Sequence, residues 1–272
     1  MKISVIITSY NYSNVIGEAI NSVLCQLFDN FEIIIADDAS SDNSIEVIKE
    51  FQERDNRIKL ITNETNLGIA KTLEKAVCEA QGEWIVLLES DDILKPDYFS
   101  EKLKASEKYT DAGLIYNAVE FFGENSESAQ KKFQNIIKRN ARQTEPQNMF
   151  YNFGYNNYIL TMSSVMVKSE YLKSVRFDSP IDKLTDWYIY VQLARKIKFL
   201  YLNKQLTLFR QHDNSYIKSN RRKKRRFANI SAYMEVFKTE PYNLFLFVFI
   251  IISTVRMVMK RILAAISQVI FL

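Results

Sequence analysis

Glycine and proline are scarce in this chain of 272 residues, at six and four. That scarcity excludes a collagen-like or disordered chain, and 47% hydrophobic residues supply an ordinary folded core. The length suits one large α/β domain or two modest ones. Cysteine is nearly absent. Cys25 and Cys78 fall in helix-like segments, form no metal-ligand spacing and point to a reducing compartment. No internal repeat is evident. No secretory leader is expected, because the chain opens directly on a buried-strand pattern, "KISVIITS".

Positive charge is present but local. The run "KSNRRKKRR" (218–226) holds seven Lys/Arg and no acid, and subtracting those seven from the net +4 leaves −3 for the rest. Acidic residues stop after Glu240, and "LFLFVFIIISTV" (244–255) follows. As a helix those residues span about 18 Å, short of the about 30 Å hydrocarbon core of a bilayer. Extending the segment admits Arg256, Lys260 and Arg261. Ser253, Arg256, Lys260, Ala264 and Ser267 then draw one polar or small stripe down a greasy helix. That is the pattern of a helix lying in the membrane interface. A basic cluster adds about 1 kcal/mol per residue at an anionic leaflet. The expectation is a membrane-associating tail over 218–272, with packing on the domain or on a second subunit as the alternative. A nucleic-acid partner is not expected, since such a tail has no use there.

The first half alternates apolar β-rich runs with helical spacing. "ISVIITS" (3–9), "FEIIIA" (31–36), "IKLIT" (58–62) and "EWIVLL" (83–88) read as strands covered on both faces. Helical stretches lie between them at 14–27, 41–55 and 67–80, the middle one with Ser41 as its expected cap. The order predicts an α/β fold with a doubly wound, mostly parallel sheet. Ligands in such sheets gather at the carboxyl ends of the strands. There the chain places "TSYN" (8–11), "DDASSDNS" (37–44), "NETNLG" (63–68) and "ESDD" (89–92). Further on, "AGLIYNAVEF" (112–121) and "SSVMVK" (163–168) read as strands. "TDWYIYVQLARK" (185–196) reads as a helix and "IKFLYLNKQLTLFRQH" (197–212) as a strand pair. Residues 122–157 are a polar excursion with some helix.

Three carboxylates in "ESDD" exceed what a helix cap before "DDILKPDYF" requires. Crowded carboxylates tolerate one another when a divalent cation lies between them, and oxygen ligands suit Mg²⁺ or Mn²⁺. An acid at the end of the second strand can accept from a ribose or a nucleobase, or simply close a turn.

Six segments, "SVIITSYN", "DDASSDNS", "NLGIAKTLEKA", "GEWIVLLESDD", "TDWYIYVQLA" and "FRQHDNS", occur in the order and spacing of the family 2 glycosyltransferases. The chain resembles that family over roughly 1–215. The resemblance implies a Rossmann-like A-type nucleotide-sugar-binding fold over 1–217. Its nucleotide-sugar half would be 1–121 and its acceptor-side half 122–217. It also implies a nucleotide-sugar donor (a UDP-sugar favoured), Mn²⁺ or Mg²⁺, and inversion by direct displacement.

Carried over by residue, Thr8 and Tyr10 would line the nucleobase pocket. Asp38 would accept from the base with Asp37 close by. Gly68 would let the backbone pass near the nucleotide, and Lys71 would approach ribose or diphosphate. Asp91 and Asp92 match the acidic metal motif, and Asp186 matches the catalytic base. His212 would meet the metal or diphosphate, and Arg210 would contact diphosphate or pair with an acid. Two positions depart from the pattern. Glu89 stands where the family often has Asp, and would hold ribose or metal-bound water. Thr185 stands where the family tends to have Glu.

The expected activity is transfer of a sugar to a hydroxyl of a lipid-linked saccharide in surface-polysaccharide synthesis, at the cytoplasmic face of a membrane. Replacing Glu89 by Asp is expected to be tolerated, and Asp91→Ala or Asp92→Ala to abolish metal-dependent turnover. Two alternatives stay open. A nucleotidyltransferase would want a glycine-rich basic loop, which "TSYNYSN" lacks. The other is a binding scaffold that has lost catalysis.

Overall fold

The computed structural model describes residues 2–153, 157–178 and 185–211, together with Val255. His212 and the expected membrane-associating tail, Val255 apart, lie outside the described residues. The chain runs through β1 (Ile3–Ser9), α1 (Ile16–Leu24), β2 (Phe31–Asp37), α2 (Ser44–Arg54), β3 (Ile58–Thr62), α3 (Ile69–Glu79) and β4 (Trp84–Glu89). It continues through β5 (Ile93–Leu94), α4 (Tyr98–Lys108), β6 (Ala112–Gly123), α5 (Ser126–Asn140) and α6 (Phe150–Phe153). A 3₁₀ turn (Met162–Ser164) then leads into β7 (Val165–Lys168), α7 (Ser169–Leu172), α8 (Thr185–Lys196) and β8 (Lys198–Gln211).

Among the described residues the strands form one eight-stranded sheet in the order β3-β2-β1-β4-β7-β6-β8-β5. β3, β2, β1 and β4 are parallel, β7 is antiparallel to both its neighbours, and β6 is parallel to β8. The continuous apolar strands follow from burial on both faces. One face buries Ile3, Val5 and Ile7 of β1 against Ile16, Ile20 and Val23 of α1 and Tyr98 and Phe99 of α4. The other buries Ile6, Ile34 and Leu87 with Leu73 and Val77 of α3 and Trp187, Ile189 and Leu193 of α8. Each such side chain contributes about 1.5–3 kcal/mol on leaving water. A smaller cluster seats α5 on Val119, Phe121 and Phe209.

The register fixes where the site can be. Thr8 lies level with Ala36 on one side and Glu89 on the other, and Ser9 lies level with Asp37. All the post-strand loops of β1, β2 and β4 therefore open on one rim.

Two local expectations are corrected, and one alternative falls. The described part of the expected strand pair is one strand, Lys198–Gln211. Asn117 of β6 pairs with Leu202 and Ala118 with Gln205, so the polar Asn203 and Lys204 sit in a bulge and the strand continues. "DDIL" does not start a helix. Ile93 and Leu94 pair with Leu208 and Thr207 of β8, and α4 begins only at Tyr98. α2 begins at Ser44, not near Ser41, because Asp42 accepts from the Ser44 backbone N–H (3.0 Å) and hydroxyl (2.5 Å) and from Ser13 N–H (3.0 Å). The polar excursion resolves into α5 and α6.

Candidate active site

The loops after β1 and β2 are tied together by their own polar groups. Asp38 N–H donates to the Ser9 carbonyl at 2.8 Å. Asn11, in the left-handed region at φ 60°, donates its N–H to Ser40 Oγ (2.9 Å) and accepts from Ser41 N–H (2.8 Å). Asp37 is fully buried and closes its own turn by accepting from Ser40 N–H (2.8 Å) and Ser40 Oγ (2.7 Å). Tyr10 stands out into solvent at 45% exposure, with an aromatic face to offer.

Asp38 is the anchor of the loop after β3. Its two oxygens accept from Asn63 Nδ2 (2.9 Å), Leu67 N–H (2.8 Å) and Gly68 N–H (2.9 Å). Gly68 adopts φ 81°, which a glycine supplies without a steric penalty, and an added Cβ there would meet open space. Lys71 is exposed in the first turn of α3. Asp37, Asp38, Gly68 and Tyr10 are thus brought to one corner of the rim.

The acid cluster occupies the neighbouring corner. Glu89 ends β4, and its N–H donates to Ser163 Oγ at 2.9 Å. Ser90 Oγ donates to the Thr8 carbonyl at 2.5 Å. Asp92 is fully buried. One of its oxygens accepts from the Arg210 N–H (3.0 Å) and the other lies 2.7 Å from Thr161 Oγ1. The same Thr161 hydroxyl lies 2.5 Å from Glu89 Oε2. Asp91 is the more exposed of the two aspartates. Arg210 backs this loop: its Nε donates to the Asp91 carbonyl (2.8 Å) and its guanidinium pairs with Glu18 of α1 (2.8 Å).

Electrostatics bring Asp186 into the same group. Burial, then the charges of Asp92 and Asp91, push the Glu89 carboxyl well above its ordinary range; the Thr161 hydrogen bond opposes this and Asp186 adds to it. Asp92 is pushed up to about 7 by burial and by Asp91. Burial and the charges of Asp91, Glu89 and Asp92 raise the Tyr12 phenol, and burial with Asp186 and Glu89 raises Tyr190. Asp186 sits in the first turn of α8, with Asn157 Nδ2 at 3.4 Å from its Oδ2. Four carboxylates separated by up to 97 positions in the chain therefore share one field.

Crowded carboxylates that lack a counter-charge are the donor set a hard divalent cation satisfies. Among the described residues no three His, Cys, Asp or Glu side chains form a ready-made cage. A cation that keeps waters and substrate phosphates in its shell does not require one. The donor set fits such an ion. Thr161, Ser163, Tyr12 and Tyr190 were not singled out from the sequence. The only local signal was the hydroxyl-rich "TMSS" before a strand.

Residues 4–164 match the family model described as glycosyl transferase family 2. The chain is a family 2 glycosyltransferase. An uncharacterized glycosyltransferase of Methanocaldococcus jannaschii is 28% identical over 92% of this chain and 89% of its own length. The Escherichia coli enzyme WfgD, a UDP-Glc:α-D-GlcNAc-diphosphoundecaprenol β-1,3-glucosyltransferase, is 31% identical over 71% of this chain and 70% of its own. Among solved structures, Staphylococcus aureus TarS 1–349 in complex with UDP-GlcNAc aligns over 87% of this glycosyltransferase and 67% of that chain, with TM-score 0.67 and 18% identity. The Pyrobaculum calidifontis mannosyltransferase PcManGT, in complex with GDP-Man and Mn²⁺, aligns over 87% and 64%, with TM-score 0.65 and 15% identity. These likenesses establish the A-type glycosyltransferase fold expected from the sequence.

Proposed function

We propose that this glycosyltransferase moves a sugar from a UDP-sugar to a hydroxyl of a lipid-linked saccharide, with inversion and with a divalent cation. The observation that carries the reading is the convergence of Asp186 with Glu89, Asp91 and Asp92 on the rim where the loops of β1, β2 and β4 open. WfgD, which by its name uses a UDP-sugar and a diphosphoundecaprenol-linked acceptor, supports the donor and acceptor class.

Tyr10 and the Asp37–Asp38 corner would hold the nucleoside, with Thr8 behind them and Gly68 and Lys71 beside the diphosphate. Asp91 would hold the cation from the protein side. Asp92, matched from the sequence to the metal motif, is fully buried and held by Arg210 N–H and Thr161, so it would fix the loop from beneath the ion, with Arg210 bracing the same loop. Mn²⁺ or Mg²⁺, when bound, neutralises charge on the departing nucleoside diphosphate. Asp186 takes the proton of the acceptor hydroxyl as that oxygen bonds to the anomeric carbon and the bond to the diphosphate oxygen breaks. His212, outside the described residues, remains the proposed further ligand to metal or diphosphate.

Among the described residues no helix is long and apolar enough to cross a membrane. The proposed attachment to the cytoplasmic face runs instead through the basic and apolar tail, which suits an acceptor carried on a lipid.

The test follows nucleoside diphosphate release from a panel of UDP-sugars with Mn²⁺ and an acceptor-lipid extract. Asp186→Asn is expected to lower kcat by about 10²–10⁴-fold with the donor KM little changed. Full activity in that variant removes Asp186 as the base. A wild-type protein that binds donor yet never turns it over identifies a binding scaffold instead.

A further inference from the structure

The turn from Thr161 to Ser164 is built with more hydrogen bonds than a strand entry needs, and they converge on the acid cluster. Ser163 Oγ accepts from Glu89 N–H (2.9 Å), and the Ser163 carbonyl accepts from Thr207 Oγ1 (3.2 Å). The Ser164 carbonyl accepts at 2.6 Å from Nζ of Lys102, which is fully buried on α4 and also donates to the Ile115 carbonyl of β6 at 2.9 Å. The turn is therefore pinned to β4, β8, α4 and β6. It presents two hydroxyls to the site: that of Ser163 hydrogen-bonds Asp92, and Thr161 Oγ1 reaches both acids, at 2.5 Å from Glu89 and 2.7 Å from Asp92. A hydroxyl has one proton and two lone pairs. Ser163 N–H occupies one lone pair at 3.1 Å, which leaves the hydroxyl proton for one carboxylate and a lone pair for a proton carried by the other.

We propose that Thr161 is a positioning residue of the active site, whose hydroxyl bridges Glu89 to Asp92 and sets the spacing at which the acid cluster meets the cation. Glu89 and Thr161 form a matched pair. The extra methylene of Glu89, where the family pattern often has Asp, lets the carboxylate reach a hydroxyl delivered from a turn 72 residues away in the chain. Thr161 would act on the cation through the loop that carries Asp91, and groups that orient a metal's ligands are typically worth ~10–100-fold in its affinity. The inference rests on the proposed cation dependence, and the experiment separates the two.

Thr161→Val keeps the shape and removes the hydroxyl; Thr161→Ser keeps the hydroxyl and removes a methyl. Mn²⁺ binding to the full chain, alone and with UDP, is measured by water-proton relaxation. Thr161→Val is expected to weaken it by about tenfold or more, and Thr161→Ser to recover most of that loss. In metal-free protein, the melting temperatures of Glu89→Ala, Thr161→Val and the double variant are expected to depart from additivity by about 2 °C or more. A Val variant that binds Mn²⁺ as tightly as wild type overturns the proposal, and so do a Ser variant as weak as Val and an additive cycle. A wild type that binds no Mn²⁺ sinks the proposed cation dependence instead, and the metal-free cycle then decides the role of Thr161 by itself.

Discussion

At the scale of single residues, Glu89 shows what tertiary contact does to a substitution that looks conservative. Its extra methylene suggested that aspartate would serve as well. The geometry turns that expectation round, because shortening the side chain withdraws the carboxylate by about 1.5 Å from a hydroxyl it now meets at 2.5 Å. Glu89→Asp is expected to lower metal-dependent turnover about tenfold, read from the Mn²⁺ half-saturation and kcat of nucleoside diphosphate release. Unchanged kinetics would restore the simpler view. The same cluster predicts a pH dependence. Glu89 and Asp92 titrate above their unfolded values, Asp92 at about 7. Between the ordinary carboxylate range and about 7 the folded state holds protons that the unfolded chain has lost, so stability falls as pH rises. The lowered carboxyls, Asp42 at about 2 together with Glu32, Asp55, Glu101, Asp111 and Asp178, act below that window and with opposite sign. The melting temperature of the metal-free protein is expected to drop from about pH 5 to about pH 8, and Mn²⁺ to restore more of it at the upper end. Calorimetry with and without Mn²⁺ checks both, and a rise across the interval contradicts the assignment.

At the scale of elements, α4 does more than cover the sheet. Lys102 is a buried lysine whose Nζ serves two carbonyls on separate elements and lies 4.4 Å from the centroid of the Tyr98 ring. Burial lowers its affinity for a proton. Lys102→Ala removes both donors and opens a cavity, and is expected to cost about 3 kcal/mol. Urea unfolding at unchanged slope measures it. Lys102→Met refills the volume without the donors and should fall between Ala and wild type. Equal losses in the two variants would assign the whole effect to the hydrogen bonds. The bulge in β8 and the two-residue β5 belong to the same scale. The bulge lies where β8 pairs with β6, β5 pairs with the opposite edge of β8, and β8 carries Arg210 to the back of the Asp91–Asp92 loop.

At the scale of the whole molecule, one sheet joins the expected nucleotide-sugar half to the acceptor-side half. β7, from the second half, lies between β4 and β6. The two halves are therefore expected to unfold together rather than as separate units. The tail is the remaining large feature, with seven Lys/Arg in 218–226 and an apolar run from 244 to 255. Deleting residues 242–272 is expected to move the protein from the membrane to the soluble fraction of a cell lysate while sparing donor binding. Unchanged partitioning would remove the tail as the anchor.

Sequence was enough to place β1 to β4, the helix at 185–196 and the order of the polar rim loops. Each rests on local pattern: apolar runs for strands buried on both faces, helical period for α8, and polar residues where parallel strands end. It also made "ESDD" conspicuous, because three acids behind an apolar run need a counter-charge. How each of these acids is held is visible in the fold alone. Asp92 went under the rim to bind β8, 118 residues on, and Glu89 was tied to it through a threonine 69 residues beyond Asp92. Hydrogen bonds across such separations leave no periodic trace in a sequence. They appear only when one sheet carries all three strands, β7 beside β4 and β8 two places beyond β7.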